Sequence, residues 1–442
     1  MSTERSEYGN RAIWSIAAPM IASGISVPLL GMVDTAVVGH LTDPRWLGAV
    51  ATGGAIFSTI FLSLNFLRMG TTGITAQTYG SQINGNRDFS ASRIALGQSL
   101  ITGLLLGLLI FLLQQPIGSL AIGLLGASED VSSATLDYFN IRVFAAPATL
   151  ANYAIVGWFL GMQNARAPLA IMVTTNVINI GFDLLFVPGL GMKVDGVAWA
   201  SVIAEHAGLL TGLALLKREL RQYPGKWNRD ELFDAAAFRR LFTVNSNLFV
   251  RSVALLFTFA FITAQGARLG DLTLAANAVL MNLQFFLSHA LDGIAHAAEA
   301  LTGKAFGAGN KKALRKVIQR TLNWSLGFAA LYSLAYLLFG PAIIGLITDI
   351  ENVRNTAISF LPWLIISPLV SVWSFLYDGV FVGLTRSKEM RDIMLGSLLL
   401  VFMPVWYLTT GWGNHGLWFA FTMFMAARGI GMRVSCQRIL QA

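Results

Sequence analysis

The chain has 442 residues, 55% of them apolar and only 12% charged, with a formal net charge of +8. Soluble chains carry about 25% charged residues, so a water-soluble globular domain is excluded. Continuous apolar runs without two-residue alternation exclude a β-barrel too, which leaves an all-α polytopic membrane protein.

The opening "MSTERSEYGNR" precedes an apolar stretch with no small-residue cleavage site, so the first span is expected to be retained and not removed as a signal peptide. Twelve spans are predicted, near 13–38, 47–70, 92–113, 132–158, 167–187, 196–216, 241–265, 273–300, 317–339, 357–383, 392–410 and 416–434. Each can supply the roughly 20 residues that cross about 30 Å of hydrocarbon. About 24 of the 31 Lys and Arg fall on one side, including "KRELRQYPGKWNRD" (217–230) and "KAFGAGNKKALRKVIQR" (304–320). The opposite loops hold Arg45, Lys193, Arg268 and Arg354. The excess of basic residues in cytoplasmic loops places both termini and the 217–240 loop in the cytoplasm. These basic loops read as topology determinants near anionic lipid, with no nucleic-acid role. The single cysteine, Cys436, allows no intrachain disulfide.

The chain repeats itself. "GHLTDPRWLGAVATGGAIF" (39–57) answers "GARLGDLTLAANAVLMNLQ" (266–284), and "TAQTYGS" (75–81) answers "TGKAFGA" (302–308). "PATLANYAIVGWFLGMQNAR" (147–166) recurs as "PLVSVWSFLYDGVFVGLTRSK" (368–388), and "GVAWA" (196–200) as "GLWFA" (416–420), all at offsets between 220 and 228 residues. Six spans per repeat restore the starting side, so the halves share one orientation about an axis along the membrane normal. The expected organisation is a six-helix lobe over 1–216, an inter-lobe loop over 217–240 and a second six-helix lobe over 241–442.

Polar residues interrupt the spans. Asp34 lies in "VPLLGMVDTAVVGHL", where a carboxylate costs roughly 2.5–3.5 kcal/mol on insertion scales. In the fifth span Asn176, Asn179 and Asp183 share one helical face. Ser201 and Glu205 lie a turn apart in the sixth, and Asp137 and Tyr138 open the fourth. Asp34 and Asp183 both fall near outer span ends. Two carboxylates facing each other in low dielectric cannot both carry charge cheaply, which is the chemistry of a proton carrier. The alternative is a set of buried hydrogen-bonded groups that lock helix packing.

The second half carries His289, Asp292, His296 and Glu299 as one stripe on the eighth span, with Asp378 inside the tenth. No second ligand pair and no His-Glu-x-x-His motif accompany them, so no metal is expected. They read as a polar stripe lining a wet cleft, or as a site for a cation or substrate. Arg68 and Arg251 are expected to snorkel from span ends, and Arg142 also falls at a span end. Pro19 and Pro28 each remove a backbone donor from the first span, so a bend is expected there. Some of the 14 Met and 29 Phe should line the cleft, where deformable and flat side chains accept varied apolar ligands.

No phosphate-binding Gly-x-x-x-x-Gly-Lys-Ser/Thr loop is present, so ATP does not drive the protein directly. No nucleophile–base pair or ligand cluster points to an intramembrane enzyme. A secondary active exporter and a lipid-type flippase remain. Acids are expected to outnumber bases inside the predicted spans, which would favour cationic or neutral cargo.

"APMIASGISVPLLGMVDTAVVGHL", "MGTTGITAQTYGSQINGNRD", "GWFLGMQNARAP" and "VDGVAWASVIAE" resemble the multidrug and toxic compound extrusion (MATE) family. "LDGIAHAAEALTGKAFGAGNKK" and "SFLYDGVFVGLTRSKEMR" bring the resemblance closest to its DNA-damage-inducible protein F branch, over nearly the whole chain. The resemblance implies the MATE fold of twelve helices in two lobes. It also implies export of cationic or amphipathic small molecules against proton or sodium entry, by a monomer in a bacterial cytoplasmic membrane, with no cofactor beyond the coupling ion.

In the proton-coupled members, as the resemblance has it, an acid in the first helix pairs with Asn-x-x-x-Asp on the fifth, a hydroxyl on the sixth and a Tyr on the fourth. Here those positions hold Asp34, Asn179, Asp183, Ser201 and Tyr138, with Ser where Thr is common. The sodium-coupled branch uses second-lobe acids, and Asp378 resembles its tenth-helix Asp. Its seventh-helix Glu is missing from "NSNLFVRSVALLFTFAF", which favours protons over sodium. The resemblance also favours Pro19 as the point where the first helix bends.

Overall fold

The computed structural model describes residues 7–39, 41, 43–83, 88–125 and 128–441, with side chains for all of these except 27–30, 32, 34, 35, 124 and 125. Asp34 therefore has a described backbone, while its side chain lies outside the described set, as does that of Pro28.

The first half begins with α1 (Asn10–Gly39), which runs through both Pro19 and Pro28. It is followed by α2 (Pro44–Leu64), α3 (Phe66–Ile83), α4 (Ser90–Leu112), α5 (Gln114–Leu125), α6 (Glu129–Arg142), α7 (Ala146–Gly161), α8 (Arg166–Leu184) and α9 (Val194–Gln222). A short α10 (Arg229–Leu232) leads to α11 (Ala235–Arg268), α12 (Asp271–Gly307), α13 (Lys311–Ile347), α14 (Glu351–Gly383), α15 (Ser387–Gly396), α16 (Met403–Leu408) and α17 (Asn414–Gln441). Among the described residues there is no strand.

Among the described residues, ten stretches are long and apolar enough to cross a membrane, and they coincide with ten of the twelve predicted spans. The first and last predicted spans fall on α1 and α17, of 30 and 28 residues. At 1.5 Å per residue both exceed the hydrocarbon thickness. On α4, Leu104, Leu105, Leu108, Leu109 and Leu112 are 47–67% exposed and share one face. Only a lipid environment accepts such a stripe without association.

The chain divides into two compact units, Ala22–Leu241 and Phe242–Ala442 taken with Met1–Ile21. The start of the chain, assigned by the repeat to the first half, thus groups with the second unit, and the division falls inside α1, two residues after Pro19.

The repeat has a physical basis visible in each unit. In the first, α7 packs on α3, and a Cβ on Gly157 or Gly161 would fall 2.5 Å from Arg68 O or Thr75 Cβ. In the second, α14 packs on α12, and a Cβ on Gly379 or Gly383 would press on the carbonyls of Ala295 and Glu299 and on Thr302. Small residues let helix backbones approach in the absence of a hydrophobic drive between helices. The helices then end alike. Gln163 (φ 68°) and Thr385 (φ 54°) both adopt the left-handed conformation, two residues past the second glycine. There the amides of Asn164 and Arg386 donate to Phe159 O and Phe381 O, each at 2.9 Å, and so close the helix end. The fifth span of each half also contains a widened turn, at Leu185–Gly189 just beyond Asp183 and at Ser397–Phe402. Such turns concentrate at functional positions.

The 217–240 segment is mostly ordered helix. After α9 ends, Phe89 N donates to Pro224 O (2.8 Å), Lys226 N donates to Ser90 Oγ (2.7 Å), and Gln98 Nε2 donates to Glu231 O (3.0 Å). Leu232 sits over Gly97, where a Cβ would come within 2.5 Å of it. The connection is thus docked along the start of α4 and does not hang as a free linker.

Candidate functional site

The first-half residues all belong to the unit Ala22–Leu241. α8 carries Asn176, Asn179 and Asp183. Asn179 is 2% exposed and Asp183 fully buried, while Asn176 is half-buried. A seam of short polar contacts joins α8 to α1. Ser23 Oγ donates to Met172 Sδ at 3.1 Å, and one turn on Asn176 Nδ2 donates to Ser26 Oγ at 3.0 Å. The Nδ2 of Asn179 has no hydrogen-bond partner among the described residues.

α9 packs on both α8 and α6. It brings Ser201, 6% exposed, into the same buried layer, and α6 contributes Tyr138, 4% exposed. The ring of Tyr138 fills the space left by Gly53 of α2 and meets Phe57 edge-on at 6.3 Å. Four of the six predicted first-half residues, Asn179, Asp183, Ser201 and Tyr138, are therefore buried polar groups on α9 and the two helices packed on it, all of one unit. Nearby, Arg142 approaches Glu205 at 3.9 Å and lies over the rings of Phe57 and Phe61 at 5.7 and 6.0 Å. Arg45 and Lys193, predicted to share one membrane side, both stack on Trp46, at 4.2 and 4.9 Å.

The second-half residues part into two groups. His296 Nδ1 lies 3.2 Å from Glu299 Oε2 on α12, and Glu299 is 2% exposed. Asp378, on α14, is gripped from both sides. Its Oδ2 accepts from Arg251 Nη2 of α11 and from Arg428 Nη2 of α17, the latter at 2.9 Å. Arg251 and Arg428 are 8% and 2% exposed, so this is a buried ion triad. Asp292 lies within electrostatic reach of Arg428. Arg428 Nη1 also lies 3.2 Å from Met425 Sδ.

The expectation that Arg251 snorkels from a span end is corrected here: its head group turns inward to the largely covered Asp378 carboxylate. Arg68 is likewise buried, at 9% exposure, with Nε donating to Asn65 Oδ1 at 3.0 Å. Among the described residues the buried bases Arg68, Arg251, Lys304 and Arg428 outnumber the buried acids Asp183 and Glu299, which corrects the expected excess of acids. A sodium ion at Asp378 would be a third positive charge on a carboxylate already shared by two guanidiniums, in a medium where like charges repel strongly. Arg428 was not among the residues the sequence singled out. The signal for it is an arginine inside the apolar run "WFAFTMFMAARGIGM", which demands a buried partner. Among the described residues no three His, Cys, Asp or Glu side chains come together as a metal-holding group.

Residues 19–185 and 248–408 match the MatE family, one match in each half of the repeat. The chain is 43% identical over 432 residues to the DNA damage-inducible protein F of Escherichia coli K12, covering 97% of this chain and 92% of that protein. Among solved structures, a MOP superfamily transporter from Pyrococcus furiosus superposes with a TM-score of 0.87 at 20% identity, over 98% of this chain and 96% of that one. The Vibrio cholerae MATE transporter VcmN gives 0.86 at 21% identity, over 100% and 98%. The chain belongs to the MatE family of multidrug and toxic compound extrusion proteins, multi-pass membrane transporters and not enzymes, and it has the MATE fold.

Proposed function

We propose that this transporter exports cationic or amphipathic organic compounds in exchange for protons, with Asp34 and Asp183 as the exchange site and Asn176, Asn179, Ser201 and Tyr138 around it. The observation that carries this reading is the register of α1 on α8. Ser23 pairs with Met172 and Ser26 with Asn176, offsets of 149 and 150 residues, so the two helices run in the same direction. Carried two turns further along rows spaced by three and four residues, the same register would bring position 34 level with position 183, an offset of 149. Two acids at one level, Asp183 among them fully buried, would favour sharing a proton over carrying two charges. A cationic cargo then competes with the proton for the same negative charge.

The occupied state of Asp378 supports protons over sodium, since the second-half acid that a sodium site would call on already meets two arginines. The protein would work in a bacterial cytoplasmic membrane with both termini in the cytoplasm, as the distribution of Lys and Arg supports.

Adding tetraphenylphosphonium to the purified protein in weakly buffered detergent should release about one proton per bound cation, because the two compete for one charge. Asp34→Asn should remove that release. Cargo binding with no proton released from the unmodified protein would sink the exchange site.

Pro19 adjoins the point in α1 where residues begin to group with the first unit, which supports it as the bend of that helix. Pro19→Ala restores a backbone donor and a straight helix. Turnover in proteoliposomes should fall by more than the affinity for cargo does. Equal turnover would reduce Pro19 to a packing residue.

A further inference from the structure

The last turns of α9 place Leu213, Lys217 and Arg221 on one face at intervals of four residues, with Leu216 and Leu220 beside them. Together with Arg93 of α4 and the Pro224–Gly225 turn they wall an open cavity of about 590 Å³. The cavity is cationic. Neither Lys217 nor Arg221 forms an ion pair among the described residues. Arg93 is held in place by donating from Nη2 to Leu220 O (2.5 Å) and Tyr223 O (2.9 Å), and its buried Nε has no acceptor among the described residues. Those two carbonyls belong to the end of α9, where the helix dipole would repel an anion, and Arg93 covers them.

The carboxylates close by are engaged elsewhere. Asp88, within electrostatic reach of Arg93 and Lys226, accepts from Ser90 N and Oγ at 3.0 and 2.6 Å. Glu219 Oε1 accepts from Asn164 Nδ2 at 3.1 Å. Beyond the bases toward the middle of the helix lie Leu213 and Leu210, 42% and 67% exposed. Charge at one end and an exposed leucine row running away from it fit a molecule with an anionic head and an apolar tail. A free phosphate ion would use the bases and leave the leucines without purpose.

We propose that this cavity is a binding site for an anionic phospholipid, whose phosphate is met by Lys217 and Arg221 beside Arg93 and whose acyl chain lies along Leu213 and Leu210. The site lies on the face that also holds the docked inter-lobe segment, so a bound lipid would sit against the Pro224–Gly225 turn.

The test is native mass spectrometry of the delipidated full-length protein titrated with palmitoyl-oleoyl phosphatidylglycerol, with the matching phosphatidylcholine as the neutral probe. Lys217→Gln/Arg221→Gln removes two exposed cations and leaves Arg93 in place to hold the turn. It should weaken phosphatidylglycerol binding roughly 30-fold, taking about fivefold for each basic side chain at an anionic lipid surface, with phosphatidylcholine unaffected. Arg218→Gln/Arg229→Gln removes the same charge from exposed positions outside the cavity and should leave binding near that of the unmodified protein. Millimolar inorganic phosphate should not displace the lipid. Unchanged phosphatidylglycerol binding in Lys217→Gln/Arg221→Gln would overturn the site. An equal loss in the control pair would replace it with diffuse surface charge, and displacement by phosphate would replace it with a free-anion site.

Discussion

Asp183→Asn is expected to abolish pH-driven export while leaving the protein folded. The change keeps shape and hydrogen-bonding capacity at a fully buried position and removes only the carboxyl that the proposed exchange would use to take up and release a proton. Its effect on stability should stay near that of a single altered hydrogen bond, about 1 kcal/mol. The comparison that matters is dye efflux from cells at matched expression, set beside thermal unfolding of the purified variant. Normal efflux would place the coupling chemistry elsewhere. Lost efflux accompanied by lost folding would make Asp183 a packing residue of the α8–α9 seam.

The second large effect is on stability. Asp378→Asn leaves Arg251 and Arg428 buried and facing each other across a neutral amide. Breaking a buried ion arrangement by removing one partner costs about 3–5 kcal/mol, because the remaining charges keep their desolvation penalty. The variant should therefore unfold at clearly lower temperature in detergent. Combining it with Arg428→Met should recover part of the loss, since the pair acts on one shared interaction. If Asp378 instead served as a cation ligand, Asp378→Asn would leave stability nearly untouched and alter the ion dependence of transport.

Much of the fold can be read from the residues alone, and the glycine pairs show why. Gly157 and Gly161, like Gly379 and Gly383, are each pressed against a neighbouring helix in a way that admits no side chain. The constraint therefore leaves the same letters at the same spacing in both halves. Spans are equally legible, because hydrocarbon imposes length and apolarity on each one separately.

The candidate site is only partly legible. Asn176, Asn179 and Asp183 announce themselves through helical spacing on one element. The Asp378 triad does not, because its partners stand 127 and 50 residues away on two other helices. Arg428 also blends into the basic end of the chain beside Arg433 and Arg438, where position favours a topology signal over a buried partner. The docking of the 217–240 segment was hidden for a similar reason. Its contacts run largely through backbone groups met by Ser90 and Gln98, and through one leucine, Leu232, over Gly97, none of which carries a periodic pattern.

Exchange of a cationic cargo for protons is tested most directly in sodium-free proteoliposomes loaded with a fluorescent organic cation. An imposed pH gradient alone should drive the dye across the membrane against its own gradient, and proteoliposomes carrying Asp34→Asn should show none of that movement. Dye movement that needs sodium and ignores the pH gradient would contradict the proton assignment and return the search for the coupling site to the second half of the chain.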